Sequence, residues 1–331
     1  MGRRRGLGVK APREPNSITL DDVVAARERL AGVVKPTPLI KLDADGGSDL
    51  YLKLETLHPI RSFKVRGAYN AVAMLSSEEL AIGVYTASAG NMAQGVAWAA
   101  RQAGARCAVV VPDGAPETKL AAVRRLGAEI VSLPYAEWWN VLATHRYVPL
   151  EPARFIHPVS DVSVMAGNGT IGLEILEDMP EVGSVLVPFG GGGLSCGIAA
   201  AIHGSRPGVP VYGCEVATAA PLQAAITAGR PIDSPRQPTF VDGIGAPTVL
   251  GEMWPAAHRF LAGSLVVSLA EVESAIRFLV ERAAVVAEGA GAASVAAGLK
   301  GLGGDGPTVC VVSGGNIDQS VLSRILAREP A

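Results

Sequence analysis

The sequence predicts an α/β protein built on largely parallel sheets, and three observations carry that expectation. Short β-branched runs alternate with longer alanine- and leucine-rich stretches along the chain, the pattern of strands joined by crossover helices. Small residues, glycine above all, crowd where several of those strands should hand over to helices. No repeat with a period of roughly 20 to 50 residues occurs, which sets solenoids aside.

In chain order, strands are expected over residues 49–54, 83–86, 105–111, 128–133, 184–188, 209–215 and 307–312. Helices are expected over 64–76, 92–103, 117–126, 163–177, 194–203 and 272–283. The segments 143–157 and 230–238 (the second proline-rich) read as linkers. Residues 184–204 contain no Asp, Glu, Lys or Arg, but Pro188 and four glycines interrupt them. They read as a buried strand, a loop and a helix, not as a membrane span.

Composition narrows the function classes. Of 331 residues 49% are apolar and 18% charged, which excludes a disordered chain. Lysine and arginine total 29 against 31 acidic residues, so the net charge of −2 argues against a dedicated nucleic-acid binder. Cys107, Cys196, Cys214 and Cys310 form no CxxC pair and read as reduced, buried thiols of a cytoplasmic protein. Arg3, Arg4 and Arg5 stand in a tail without an apolar core, so a solvated tail is expected there and no signal peptide.

The 39 glycines then become the informative feature. They concentrate in TASAGNMAQG (86–95), PFGGGGL (188–194), EGAGAA (288–293) and SGGN (313–316), mostly after expected strands. In open α/β sheets ligands bind at the carboxyl ends of strands, so these turns can converge on one site. Gly190, Gly191, Gly192 and Gly193 before a helix form the strongest signal, since successive amides without Cβ atoms can close on a phosphate. No P-loop lysine follows them. A GxGxxG match at Gly167, Gly169 and Gly172 has no strand before it and reads as chance. His58, His145, His157, His203 and His258 show no metal-type spacing, so no protein-built metal site is expected. No GxSxG elbow occurs either. A phosphate cradle with few acid–base side chains suggests that a cofactor brings the chemistry. Pyridoxal phosphate fits, because Lys64 in RSFKVRGA stands at a helix start, where a cation is disfavoured and its pKa falls.

SFKVRGA, SAGNMAQGVA, GNGTIGLEIL, GGGGL and SGGN stand in an order and at separations that resemble the serine/threonine dehydratase and serine racemase group of fold-type II pyridoxal phosphate enzymes. The resemblance runs from Pro36 to Asn316. It implies two open, twisted, mostly parallel sheets flanked by helices, with the cofactor between a larger unit (1–50 plus 155–331), a smaller one (51–154), and no C-terminal regulatory domain. It also implies roles. Lys64 would bind pyridoxal phosphate as a Schiff base and serve as α-proton base. Phe63 and Gly243 would flank the ring, Asn91 would meet its hydroxyl, and Ser313 its nitrogen. Glu288 would lie beside it, and Gly190, Gly191, Gly192, Gly193 and Leu194 would cradle the phosphate. Backbone groups of Ser88, Ala89, Gly90, Asn91 and Met92 would hold the carboxylate of a small amino-acid substrate. A homodimer follows from the same resemblance.

A hydroxyl at Ser313 leaves the ring nitrogen unprotonated, which favours early loss of a β-group. The expected reaction is therefore α,β-elimination from a serine- or threonine-type substrate, giving a 2-oxo acid and ammonia. Ala89 stands where racemases of the group carry a serine, which argues against racemisation. Arg61 and Met92 also depart from the group's pattern, and Arg61 suggests an acidic substrate such as threo-3-hydroxyaspartate as the alternative, beside racemisation or β-replacement on the same cofactor. Glu215 matches a cation-binding glutamate of some relatives, but Pro221 replaces its partner aspartate. The segment 135–154, with Trp138 and Trp139, resembles the group poorly.

Overall fold

The computed structural model describes residues 13–44 and 49–327; Arg3, Arg4 and Arg5 lie outside them. In chain order the strands are β1 (Leu39–Lys41), β2 (Leu50–Leu54), β3 (Val84–Ala87), β4 (Cys107–Pro112), β5 (Glu129–Leu133), β6 (Arg154–Phe155), β7 (Ser184–Pro188), β8 (Val211–Val216), β9 (Gly263–Val267) and β10 (Thr308–Val312). They form a six-stranded sheet in the order β1-β2-β10-β7-β8-β9 and a four-stranded sheet in the order β5-β4-β3-β6. Every pairing is parallel except β1 with β2.

The central strands read as apolar without alternation because both faces are covered. SVLVP of β7 and TVCVV of β10 are buried at every position. Apolar cores lie on both faces of the large sheet, one including Val187 and Val311, the other Leu186 and Val312. The small sheet has its own packing on two faces, Val109 and Val111 on one side, Ala108 and Val110 on the other.

Three strands escape the sequence expectation. β1, β6 and β9 are edge strands of two to five residues with partly exposed side chains, too short or too mixed to register as periodic. The division at residue 51 also needs correction. β2 straddles it in sequence yet pairs along its whole length with β10, from Thr308↔Leu50 to Val312↔Leu54, inside the larger sheet. The linker expected at 143–157 instead contains β6, which joins the smaller sheet beside β3.

GNGTIG lies within the helix Val162–Asp178, and its glycines serve close packing. A Cβ at Gly167 would come 2.5 Å from the Arg66 carbonyl oxygen, and one at Gly169 would come 2.7 Å from that of Gly197. The glycine stripe lets this helix lie against both the Lys64–Ala73 and Gly193–Ser205 helices, the two that carry Lys64 and follow the tetraglycine turn. Residues 184–204 form β7, a turn and most of the second of these helices. No helix among the described residues is long and apolar enough to cross a membrane.

The Lys64 helix is also fastened by buried charge. Arg66, 1% exposed, donates to Glu55 at 2.7 and 2.9 Å and to Glu174 at 2.5 and 3.0 Å. Lys53, fully buried, donates to the Thr37 carbonyl at 2.6 Å and pairs with Glu174 at 2.9 Å. Despite burial, Arg66 and His58 hold the Glu55 carboxyl far below its ordinary range. The network ties β2, the Lys64 helix and the Val162–Asp178 helix together.

Candidate active site

Four helices begin at the carboxyl ends of strands or beside them: Lys64–Ala73, Asn91–Gln102, Gly193–Ser205 and Gly289–Leu299. Their N-cap residues are Phe63, Gly90, Gly192 and Glu288, and none makes a side-chain cap bond. By contrast, Thr19, Ser76 and Ser268 each form a capping box on outer helices. First-turn amides without a side-chain cap are available to an anion.

These ends are drawn together. Phe63 N donates to Ser313 O at 3.0 Å, and Ser62 bridges to Gly314, which brings the Lys64 turn against the end of β10. Glu288 N donates to Gly314 O at 2.9 Å. Asn91 Nδ2 donates to Glu288 Oε1 at 2.8 Å, and Asn316 Nδ2 to Asn91 Oδ1 at 2.7 Å. A Cβ at Gly243 would lie 3.4 Å from Glu288 Oε1, and one at Gly190 would lie 3.4 Å from Gly243 O. At the tetraglycine turn, Cβ atoms at Gly191 and Gly193 would come within 2.6 and 2.4 Å of Val159, so the close approach requires glycine. Lys64, Phe63, Asn91, Gly190, Gly191, Gly192, Gly193, Gly243, Glu288 and Ser313 thus surround one place. Leu194 is buried on the first turn of its helix. Ser88, Ala89 and Gly90 form the turn after β3, with Gly90 N donating to Ser88 Oγ at 3.2 Å. The Met92 side chain leaves this group and is buried in the apolar core of the smaller sheet.

Electrostatics distinguish two of these groups. Lys64 Nζ donates to the Pro158 carbonyl at 2.9 Å and stands 5.0 Å from the Phe63 ring centroid. Burial lowers its pKa to about 8, against the opposing charge of Glu288. Burial also raises Glu288 to about 7, with Asp242 pushing the same way and the Asn91 hydrogen bond opposing. Asp242 is paired with Lys119 on the Glu117–Arg125 helix, joining the DGIG turn to the smaller sheet's flank.

Other residues with functional character escaped sequence reasoning. Pro158 and Lys119 became visible only through tertiary contacts, and Asn316, already part of SGGN, gains its bond to Asn91 there. Lys53, Glu55 and Glu174 did leave a signal, as charges inside the otherwise apolar runs LYLKLE and TIGLEIL. His145, His157 and Glu252 offer three metal-ligand-type atoms within 4.8 Å of one another, a grouping that sequence spacing could not reveal. His157 Nδ1 accepts from two backbone amides there. The neutral ring then carries its hydrogen on Nε2, which is buried and has no hydrogen-bond partner among the described residues. Glu215 is likewise committed. It accepts from Leu222 N and Gln223 N at 2.8 Å each and from Ser264 Oγ at 2.6 Å, capping the Pro221–Ala228 helix.

A buried lysine of lowered pKa, a glycine turn at a helix start and a buried serine at a strand end define an α/β enzyme that binds a phosphorylated carbonyl cofactor. Comparison makes the class specific. The family model described as pyridoxal-phosphate dependent enzyme matches residues 30–314, and the chain belongs to that family. It is 42% identical over 313 residues to an L-threonine ammonia-lyase of Thermotoga maritima, covering 93% of this chain and 78% of that one. It is 35% identical to the catabolic L-threonine dehydratase of Escherichia coli, covering 93% and 96%. Maize serine racemase superposes with a TM-score of 0.86 at 30% identity, covering 93% of this chain and 96% of that one. A pyridoxal 5'-phosphate-dependent aspartate racemase superposes at 0.83 with 28% identity, covering 94% and 98%. The cofactor is pyridoxal phosphate, and the residues present fit it: an amine held near neutrality faces a turn whose glycines leave backbone amides for a phosphate.

Proposed function

We propose that the protein is an L-threonine/L-serine ammonia-lyase, a carbon–oxygen lyase that releases a 2-oxo acid and ammonia. The observation that carries this reading is Lys64, a buried amine at about 8 placed between the tetraglycine turn and the Ser313–Glu288 wall. When bound, pyridoxal phosphate supplies the electron sink that acidifies the substrate's α-carbon. Amides of Gly191, Gly192, Gly193 and Leu194 hold its phosphate, and Phe63 and Gly243 confine its ring. Asn91, oriented by Asn316 and Glu288, donates to the ring hydroxyl. Ser313 offers a hydroxyl to the ring nitrogen and leaves it uncharged. The turn 88–92 binds the substrate carboxylate through its amides. Lys64 Nζ takes the α-proton and returns a proton to the β-hydroxyl, which departs as water. The enamine released then hydrolyses. Ala89 carries no proton donor, which leaves the opposite face of the substrate without an acid and disfavours racemisation.

A substrate panel of L-serine, L-threonine and L-threo-3-hydroxyaspartate, read by 2-oxo acid and ammonia, tests the reading. The expected result is 2-oxobutanoate from threonine and pyruvate from serine. D-Serine formed without pyruvate would overturn it. A second reading, elimination from an acidic β-hydroxy amino acid, rests on Arg61. Its guanidinium has no carboxylate partner among the described residues. Its backbone adopts φ 52°, held by Gly315 N donating to Arg61 O at 2.9 Å. Oxaloacetate as the dominant product of the panel would select this reading. We also propose a cytoplasmic homodimer; a particle of twice the 34.0 kDa chain mass in mass photometry is the expected result.

A further inference from the structure

The segment 135–154 ends against the lysine's support. Its helix Tyr135–Thr144 terminates at His145 in a left-handed conformation, φ 56°. A residue with a Cβ adopts that conformation at a cost, and here it brings the imidazole across to the larger sheet's side. His145 Nε2 lies 2.9 Å from Glu252 Oε1, just ahead of the Trp254–Phe260 helix. The same ring stacks on His157, with centroids 4.3 Å apart and planes at 26°. Phe155 closes the edge of His157, with centroids 5.8 Å apart.

His157 is 2% exposed, and its Nδ1 accepts from Val159 N at 3.2 Å and Ser160 N at 2.8 Å, with Ser160 Oγ also 2.8 Å away. Two amides converging on one side-chain nitrogen fix the turn 157–160. That turn touches both parts of the site. The Pro158 carbonyl accepts from Lys64 Nζ, and Val159 is the residue against which Gly191 and Gly193 close. Met253, beside Glu252, meets the same loop, its Cε 3.2 Å from where a Gly192 Cβ would stand.

We infer that His157 is a positioning residue for Lys64, and that His145 and Glu252 form a clasp which holds it. The imidazole sets the turn, the turn aims the Pro158 carbonyl at the lysine nitrogen, and Val159 spaces that nitrogen from the phosphate loop. The arrangement works only with His157 neutral, since a proton on Nδ1 would face two amide hydrogens. Burial and the cover of His145 keep the ring neutral, and the Glu252 carboxylate, held down at about 2 chiefly by the His145 hydrogen bond, anchors that cover.

The inference rests on Lys64 as the reacting amine, so its test reads cofactor attachment separately from turnover. The titratable groups that act on Lys64 Nζ are Glu288 and His157, with Asp242 and Lys119 acting on Glu288. Purified enzyme stripped of cofactor is mixed with pyridoxal phosphate across a pH series, reduced with borohydride, and the labelled peptide quantified. Wild type labels Lys64 with a midpoint of about 8; absence of label on Lys64 would sink the function reading itself. His157→Leu removes the acceptor, frees the Pro158 carbonyl to drift and lowers the midpoint by about one unit, as expected when a hydrogen bond to the charged form is lost. In turnover it lowers kcat by about tenfold with KM within a factor of about two, the scale of a misplaced reacting group. His157→Asn, which keeps an acceptor oxygen, restores most of both. Glu252→Gln moves the midpoint the same way by a smaller step and covers the case in which His157→Leu fails to fold. Folded variants that lose only thermal stability, with midpoint and kcat unchanged, would overturn the inference.

Discussion

Glu288 shows how a residue's neighbours set its protonation state. Burial raises its carboxyl to about 7, Asp242 adds to the rise and Lys119 opposes it. Glu288 is therefore half ionised near neutral pH, hydrogen-bonded by Asn91 and set against Lys64. If its ionisation shapes turnover, the kcat profile has a limb near 7. Asp242→Asn removes a like charge and moves that limb to lower pH, whereas Lys119→Met removes a compensating cation and moves it higher. Profiles of the two variants that shift together, or not at all, would contradict this wiring. Ala89 makes a second prediction at this scale. Ala89→Ser places a hydroxyl on the turn after β3, where the wild type has a methyl group. D-Serine is expected to appear from L-serine in chiral chromatography, with elimination retained.

Among the elements, the Lys64–Ala73 helix is held from two sides, by glycine-mediated contact with the Val162–Asp178 helix and by Arg66 between two buried carboxylates. Arg66→Met leaves Glu55 and Glu174 without their shared cation in a dry interior, and unfolding stability measured in denaturant should fall by about 3–5 kcal/mol. This network also shows what the chain reveals locally and what it conceals. β7, β10 and the glycine turns were legible because burial on both faces and small-residue turns leave a dense local signature. Lys64 was singled out by its place at a helix start, and Asn91, Glu288 and Ser313 by the family resemblance of the motifs they stand in; the fold brings these turns together. Arg66 lay in plain view within SFKVRGA, but its partners come from residues 55 and 174, and no periodicity joins them. β2 was found as a strand yet assigned to the smaller unit, since pairing with β10 spans more than 250 residues and leaves no mark on either run. The His145–Glu252 pair was hidden for the same reason.

For the whole molecule, two buried groups oppose one another in their response to acid. His157 is kept neutral by burial, its pKa lowered to about 3. Between its ordinary value of about 6.5 and that pH the unfolded chain binds a proton that the native state refuses, so His157 makes stability fall as pH falls. Glu288 has the reverse effect. With its native pKa raised to about 7, it takes a proton on acidification before an unfolded glutamate does, which stabilises the fold between about 7 and the ordinary value near 4.5. Glu215, also raised by burial, acts in the same direction as Glu288. In the cofactor-free enzyme the His157 and Glu288 slopes overlap between about 6.5 and 4.5 and oppose one another, so the wild-type profile there masks two buried titrations. Removing either one exposes the other. Relative to wild type, Glu288→Gln should lose about 1.4 kcal/mol for each unit of acidification across that interval, and His157→Asn should gain by the same amount. Below about 4.5 the depressed carboxyls of Glu55 and Glu252 begin to bind protons on unfolding, and all three proteins should then lose stability together. Denaturant unfolding at half-unit pH steps resolves the two slopes. Parallel profiles for both variants and wild type would mean that neither group is buried in the protonation state assigned to it.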